Sequence, residues 1–163
     1  MQQTIKHIEE LREKLTNAAA AAEQMNEKET RLGIGKTNFS QVEETAAKLV
    51  PFEELWNGAA EFSQEYAAWN TGPVFKLDAE EVEGKVQAKW RQMYKLSKKL
   101  IDLEAKPASD VADKIKTKLD SFRKHVPLLA AICNKGLRDR HWKQVVKIVG
   151  FTIKPDDTTS LEK

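Results

Sequence analysis

This 163-residue sequence has little of what marks several common protein classes. Its one cysteine, Cys133, lies in an apolar run, which excludes an internal disulfide framework and predicts a buried thiol in a reducing compartment. No apolar run approaches the roughly 20 residues that a membrane span needs. The N-terminus is amphipathic and charged, unlike a secretory signal. With 40% hydrophobic and 32% charged residues, the composition favours a soluble helical protein with no membrane partner.

Residues that could form an active site are also scarce. The histidines His7, His125 and His141 lie far apart, and no carboxylate spacing near them resembles a metal site. The sequence GIGKTNF at 33–39 lacks the glycine that a phosphate-binding loop needs five residues before its Gly-Lys pair, because that position is Thr30. A long predicted helix, rather than a strand, precedes it. We therefore predict a turn here, with no cofactor and no enzymatic activity in this chain.

The net charge of +2 is unevenly distributed along the chain. Residues 1–88 contain 9 Lys and Arg against 16 Asp and Glu, a net charge of −7, whereas residues 89–163 contain 18 against 9, a net charge of +9. Solvated helix faces that differ in sign explain this pattern, and so does a basic half that attracts an acidic partner. Nucleic acid is not a predicted partner, because the basic residues form no recognised nucleic-acid-binding motif.

Apolar residues recur at intervals of three and four along most of the chain, and no segment alternates with the period of two typical of a strand. Helices are predicted for about 4–29, 40–69, 78–106 and 109–125, the last continuing as a kinked segment beyond Pro127, and a further helix contains Trp142. We therefore predict an all-α fold, an elongated array of about five helices in antiparallel, bundle-like packing.

The apolar positions of the first two helices predict their buried sides. In the first helix they are Ile8, Leu11, Leu15, Ala18, Ala22 and Met25. In the second they are Val42, Ala46, Leu49, Phe52, Trp56, Ala59, Phe62 and Tyr66. Because large aromatic side chains dominate the energetics of helical cores, we predict that three tryptophans are structural anchors. They are Trp56, Trp90 and Trp142.

Two helix starts carry a recognisable capping box. Asp78 with Glu81 gives the clearest start in the sequence, and Ser40 with Glu43 gives a second one. Helix ends are equally marked, by Gly33–Gly35 after the first helix and by Asn70–Pro73 after the second.

Two prolines fall inside predicted helices. Pro51 removes a backbone hydrogen bond, so a kink or a short break is expected there, and Pro127 is expected to kink the chain in the same way. With the turns at Gly33–Gly35, Asn70–Pro73 and Gly136, these positions are the candidate hinges.

The segment from 136 to 159, GLRDRHWKQVVKIVGFTIKPDDTT, has the most distinctive pattern. Asp139 is a predicted N-cap and Gly150 a predicted left-handed C-cap. Thr159 with Glu162 forms a third capping box, so a further helix is predicted to begin just before the last residue, as in a piece of a longer polypeptide. The apolar stripe of the helix consists of Trp142, Val145, Val146 and Val149.

Several sequence blocks, taken in order, resemble dynein heavy chains. The most specific block is RDRHW within GLRDRHWKQVVKIVGF at 136–151. Supporting blocks are LVPFEELWNGAAEF at 49–62, WNTGPVFKLDAEEVE at 69–83, MYKLSKKL at 93–100 and VADKIKTKLDSFRKHVPLL at 111–129. The resemblance covers about residues 40–163, with weaker similarity of the first helix to the preceding neck. GPVFKLDAEEVE and MYKLSKKL resemble axonemal, inner-arm-type chains more than the cytoplasmic one.

The resemblance implies a neck helical hairpin at 1–72 and the start of the linker domain at 73–163. In this family the linker is a rod that arches over the AAA+ ring, which binds the ATP, and delivers the power stroke to the tail for microtubule-based movement. The implied partners are the AAA+ ring and tail of the same heavy chain, with dynein intermediate or light chains as further candidates. The implied location is the cytoplasmic cytoskeleton, and the ciliary axoneme for an axonemal type.

The basic residues of the last helix are the candidate contacts to acidic surface on the ring or tail. They are Arg138, Arg140, Lys143 and Lys147. The alternative is a passive, spectrin-like helical scaffold or protein-interaction module. It explains the apolar residues at intervals of three and four and the tryptophans equally well, but it does not explain the RDRHW block. A third possibility is a basic amphipathic surface that binds acidic lipid. Only the uneven charge distribution supports it.

Overall fold

A computed structural model describes residues 1–134, 136–150 and 159–161. These residues form six α-helices and one short 3-10 helix at Val74–Lys76, and no strand occurs among them. The all-α prediction is therefore confirmed, with one more helix than expected, because the segment after Pro127 is a separate helix. The helices are α1 (Gln2–Arg31), α2 (Ser40–Thr71), α3 (Ala79–Asp102), α4 (Lys106–Arg123), α5 (Val126–Ile132) and α6 (Asp139–Val149).

The end of α1 is fixed by its glycine. Gly33 adopts a left-handed conformation with φ of 69°, which glycine reaches without a steric penalty. Its N–H donates to the Thr30 carbonyl at 3.2 Å, and the N–H of Ile34 donates to the Glu29 carbonyl at 3.1 Å. These two bonds are those of a Schellman motif, which satisfies carbonyls that a helix end leaves free. The predicted turn after the first helix is thus confirmed.

Helix α2 differs from the prediction at two points. It continues without interruption across Pro51, so the expected short break is wrong. One lost hydrogen bond is compatible with a continuous helix when the adjoining turns are held by buried side chains, here Leu55 and Ala59. Ser40 lies inside the helix instead of capping it, and its N–H donates to Oδ1 of Asn38 at 2.8 Å.

The start of α3 follows the prediction. Oδ1 of Asp78 accepts hydrogen bonds from the N–H groups of Glu80 at 2.9 Å and Glu81 at 3.1 Å. A carboxylate in this position satisfies helix donors that have no partner within the helix and interacts favourably with the positive end of the helix dipole.

Prolines position the boundaries of α4 and α5. Helix α4 begins at Lys106, three residues before the predicted start, because Pro107 then lies in the first turn, where its missing N–H costs nothing. It ends at Arg123, and α5 begins at Val126 with Pro127 in its first turn. The interruption predicted around Pro127 is confirmed, since proline cannot donate to the carbonyl of Arg123.

At α6 one predicted cap is confirmed and one is wrong. Gly150 has φ of 83°, and its N–H donates to the Val146 carbonyl at 2.9 Å, as expected of a left-handed C-cap. Asp139 is the first helical residue, and the N-cap is Arg138 in an extended conformation. The helix predicted from Thr159 involves Glu162, which lies outside the described residues.

The chain forms two compact units, each made of separate stretches of sequence. The first comprises residues 1–60 and 95–112, and the second residues 61–94 and 113–163. Each unit therefore draws residues from both sides of position 72, and the functional division into neck and linker remains a prediction. In the first unit the hydroxyls of Ser97 and Ser109 lie 3.2 Å apart within an otherwise apolar interior. That interior includes Ile8, Leu55, Ala59, Leu96, Leu100 and Ala112.

The buried side of α2 is offset from the predicted stripe. Leu55 is fully buried, whereas Phe52 and Trp56, which the pattern placed inside, are half-buried. Helix α1 is buried only at Ile8, and Met25 at the end of its predicted seam is 51% exposed. In α3 and α4 the buried side chains follow helical spacing more closely, and they include Val82, Val86, Met93, Leu96, Leu100, Ile115, Leu119 and Phe122.

Candidate interaction surface

Helix α6 carries the four basic residues that the sequence singled out. Arg138 precedes the first turn, and Arg140, Lys143 and Lys147 follow at intervals of three and four, which places the last three on one face. All four side chains are exposed, and none forms an ion pair with any described carboxylate. Because Asp139 is the one acidic residue between 138 and 149, this stretch carries a net positive charge.

His141 holds the start of α6. The backbone N–H of Arg138 donates to Nδ1 of His141 at 3.0 Å, and Nε of Arg140 lies 3.2 Å from Nε2 of the same ring. A neutral imidazole has one acceptor nitrogen, so it accepts one of these two bonds at a time. The contact with Arg138 is one half of a capping box, and it ties the backbone of the first basic residue to the helix.

The apolar stripe of α6 is incompletely covered. Trp142 is half-buried, no residue of α6 is buried, and Val149 is 41% exposed. Trp142 lines a cavity of about 780 Å³ with Phe75, Leu77 and Cys133, all within the second unit. The helix therefore combines an exposed basic face with an apolar side that has room for further contacts.

Trp56 and Trp90 belong to helices α2 and α3. Trp56, on α2 in the first unit, lines a cavity of about 200 Å³ with Ile5 and Ile8 of α1. Close to it, Arg12 and Glu53 form an ion pair that joins the same two helices. Both tryptophans are half-buried.

Trp69 is a buried aromatic anchor that was not among the three predicted ones. Trp69 is 4% exposed, and its ring centroid lies 5.1 Å from that of Phe122. Tyr66 contacts the same Phe122 ring at 5.7 Å and the Phe62 ring at 5.2 Å. Phe62, Tyr66 and Trp69 are spaced by four and three residues, which places them on one face of α2 and could have identified Trp69 as an anchor.

The lone thiol contacts the backbone beside the α6 cavity. Sγ of Cys133 donates to the Val74 carbonyl at 3.2 Å. Burial raises the pKa of this thiol, and the negative charge of Asp78 raises it further. The thiol is half-buried, less enclosed than expected.

The glycine-containing segment between α1 and α2 contacts α1 through a carboxylate. The N–H of Thr37 donates to Oε2 of Glu29 at 2.7 Å, and its hydroxyl donates to Oε1. These hydrogen bonds lower the pKa of Glu29. The segment joins two helices, a context different from the strand-to-helix connection of a phosphate-binding loop.

The described residues offer neither a metal site nor a membrane-spanning helix. No group of three or more His, Cys, Asp or Glu side chains within 1–134, 136–150 and 159–161 could hold a metal ion. Among these residues, no helix is both long and apolar enough to cross a bilayer.

Comparison with known proteins identifies the family. The family model for dynein heavy chain, N-terminal region 2, matches residues 42–163, which include α6. The chain belongs to this dynein heavy chain family. The resemblance read from the RDRHW and MYKLSKKL blocks is thereby confirmed.

Similar dynein chains are axonemal. Dynein axonemal heavy chain 3 from Homo sapiens is 37% identical over 99% of this chain, and dynein axonemal heavy chain 1 from Rattus norvegicus is 26% identical over 91%. Dynein axonemal heavy chain 12 from Homo sapiens is 23% identical over the whole chain. The chain spans 4%, 3% and 5% of the lengths of these three dyneins, respectively.

Proposed function

We propose that this chain is a non-catalytic mechanical segment of an axonemal dynein motor, which links the tail to the AAA+ ring and transmits the ATP-driven power stroke along microtubules. The observation that carries the proposal is α6, which lies inside the region matched by the dynein family model. Its basic face is exposed and has no ion pair with a described carboxylate, and its apolar side is incompletely covered. In this proposal α6 docks on acidic surface of the ring or of a neighbouring tail segment.

The helices suit the transmission of force. Helix α2 continues for 32 residues and α1 for 30, and the proline within α2 does not interrupt it. A continuous helix resists bending because each backbone hydrogen bond must be strained together with its neighbours. Bending would then concentrate at the connections between helices, such as the turn that contains Gly33.

The proposal assigns ATP binding to the ring and none to this chain. Isothermal titration calorimetry of the chain with Mg-ATP should show no saturable binding, because no strand precedes Lys36 and Thr30 stands where the loop glycine is required. Saturable heat that disappears in Lys36→Ala would contradict this assignment. The proposed location is the axoneme, and dynein intermediate or light chains are further candidate partners.

Docking is tested by association of this chain with the separately expressed ring across a salt series. Exposed ion pairs contribute about 0–1 kcal/mol each, so the test variant changes Arg138, Arg140, Lys143 and Lys147 to Glu together. The charge-matched control changes Lys6, Lys14, Lys28 and Lys48 to Glu, all exposed on α1 and α2.

The α6 variant should bind the ring more weakly and with a smaller salt dependence, and the control should resemble the parent. Equal affinity and equal salt slope for the parent and the α6 variant would remove α6 from the contact.

A passive helical interaction module is the second candidate. The exposed side of α1 favours it, since Met25 is 51% exposed and the alanine run at 18–22 contributes no fully buried residue. Such a module would bind helical partners without any contact to the ring. The ring-association experiment therefore separates the two candidates.

A further inference from the structure

A second basic site lies in the second unit, on helices other than α6. A cavity of about 120 Å³ opens beside α3 and the end of α4, and we refer to it as the arginine notch. Four of its lining residues, Val86, Gln87, Trp90 and Arg91, come from α3, and Arg123 is the last residue of α4. Its volume suits a single small side chain and is too small for a nucleotide.

The two guanidinium groups of the notch lack acidic partners. Neither Arg91 nor Arg123 forms an ion pair with the described carboxylates. Three lysines of the same unit do form ion pairs: Lys85 with Glu81 at 2.7 Å, Lys89 with Glu61 at 2.6 Å, and Lys116 with Asp113 at 2.7 Å. The two arginines of the notch therefore keep their donors free of any described carboxylate.

The aromatic wall of the notch is held in place and carries an unused donor. The ring of Trp90 stacks on Tyr94 with centroids 5.4 Å apart and an angle of 8° between the planes. Nζ of Lys116 lies 5.4 Å from the centroid of the Tyr94 ring. Nε1 of Trp90 is enclosed by protein and has no acceptor among the described residues.

We propose that the arginine notch binds a carboxylate from an acidic segment of a partner polypeptide. Guanidinium groups present planar pairs of N–H donors that match a carboxylate. Val86 and the Trp90 ring provide an apolar surface for the methylene groups of a Glu or Asp side chain. Phosphate sites typically use the N–H groups of a helix N-terminus. The notch lies at the C-terminal end of α4, where the helix dipole disfavours any anion, and it disfavours a doubly charged phosphate more than a singly charged carboxylate.

The notch is independent of the contact proposed for α6. It lies on α3 and α4, and none of its residues belongs to the basic face of α6. A partner could therefore occupy the notch whether or not α6 contacts the ring.

The test uses the 163-residue chain labelled with ¹⁵N. It is titrated with a capped peptide of alternating Glu and Gly, and separately with the same peptide carrying Gln in place of Glu. The readout is the indole N–H resonance of Trp90, assigned by its absence in Trp90→Phe. The Glu peptide should shift this resonance in a saturable manner, and the Gln peptide should not.

Two double variants of equal charge locate the binding site. Arg91→Gln with Arg123→Gln should weaken binding of the Glu peptide about tenfold or more, because both charged donor pairs are lost. Lys114→Gln with Lys124→Gln removes two exposed charges of the same unit that do not line the notch, and should change affinity less than twofold. Thermal melts that match the parent show that the variants are folded.

Three results would overturn the proposal. The first is no saturable shift with the Glu peptide. The second is an equal loss of affinity in both double variants, which would indicate general attraction by positive charge. The third is an affinity for inorganic phosphate equal to that for the Glu peptide, which would make the notch a general anion site and not a contact for a polypeptide.

Discussion

At the scale of single residues, the two tryptophans of α2 differ in how far they are buried. Trp69 packs on Phe122 within the second unit and is 4% exposed, while Trp56, on the same helix, is half-buried. The apolar pattern placed Trp56 inside because it lies four residues after Phe52. The structure places Leu55 inside, because a leucine fits fully within an interior that leaves part of the larger indole ring outside.

Replacing the enclosed tryptophan should cost more stability than replacing the half-buried one. Trp69→Ala should lower the free energy of unfolding by about 3–5 kcal/mol, the usual cost of removing a packed aromatic side chain. Trp142→Ala should lower it by less, since its ring borders an open cavity. Urea denaturation of both variants and the parent measures the difference. A larger loss for Trp142→Ala would show that the apolar side of α6 is the main anchor.

The thiol of Cys133 should react slowly at neutral pH. The thiolate is the reactive form, and burial followed by the charge of Asp78 raises its pKa. Alkylation by iodoacetamide, followed from pH 7 to pH 10, should therefore reach its half-maximal rate at a higher pH than in an unstructured cysteine peptide. Asp78→Asn keeps a capping side chain and removes the charge, so it should move the midpoint part of the way back. A midpoint below that of the peptide would contradict the raised pKa.

At the scale of helices, local signals predicted most boundaries and missed those that depend on neighbouring residues. Asp78 and Gly150 act through backbone groups within a few residues of themselves, so their roles could be read from the sequence. Ser40 and Asp139 also have side chains suited to an N-cap, but each is the first residue of its helix and not the residue before it. The N–H of Ser40 donates to Asn38, and Arg138 is the N-cap of α6. Continuity across Pro51 depends on buried contacts elsewhere in α2, which periodicity alone does not reveal.

The start of α3 offers a direct test at this scale. Asp78→Ala removes the acceptor for the N–H groups of Glu80 and Glu81 and should lower the free energy of unfolding by about 0.5–2 kcal/mol. Asp78→Asn, which can accept the same bonds, should lower it by only a fraction of that amount. Chemical denaturation of the two variants side by side gives the comparison. Equal losses would indicate that the charge, and not the hydrogen bonds, stabilises the helix.

At the scale of the whole molecule, the family and the fold class could be read from the sequence, whereas the two proposed binding surfaces could be read only in part. Arg140, Lys143 and Lys147 lie on one helix, so their common face follows from helical spacing alone. Arg91 and Arg123 belong to different helices, and only the folded chain brings them to one cavity. The division into two compact units, each built from separate stretches, likewise depends on contacts distant in sequence.

The central claim, that α6 couples this segment mechanically to the dynein ring, can be tested in an intact heavy chain. Surface-bound motors would carry Glu at Arg138, Arg140, Lys143 and Lys147, or, as the charge-matched control, Glu at Lys6, Lys14, Lys28 and Lys48. Microtubule gliding velocity and ATP turnover are measured on the same preparations. The α6 variant should glide more slowly than the control, while its ATP turnover should fall less than its velocity does. Equal gliding velocity in the α6 variant, the control and the parent would contradict it.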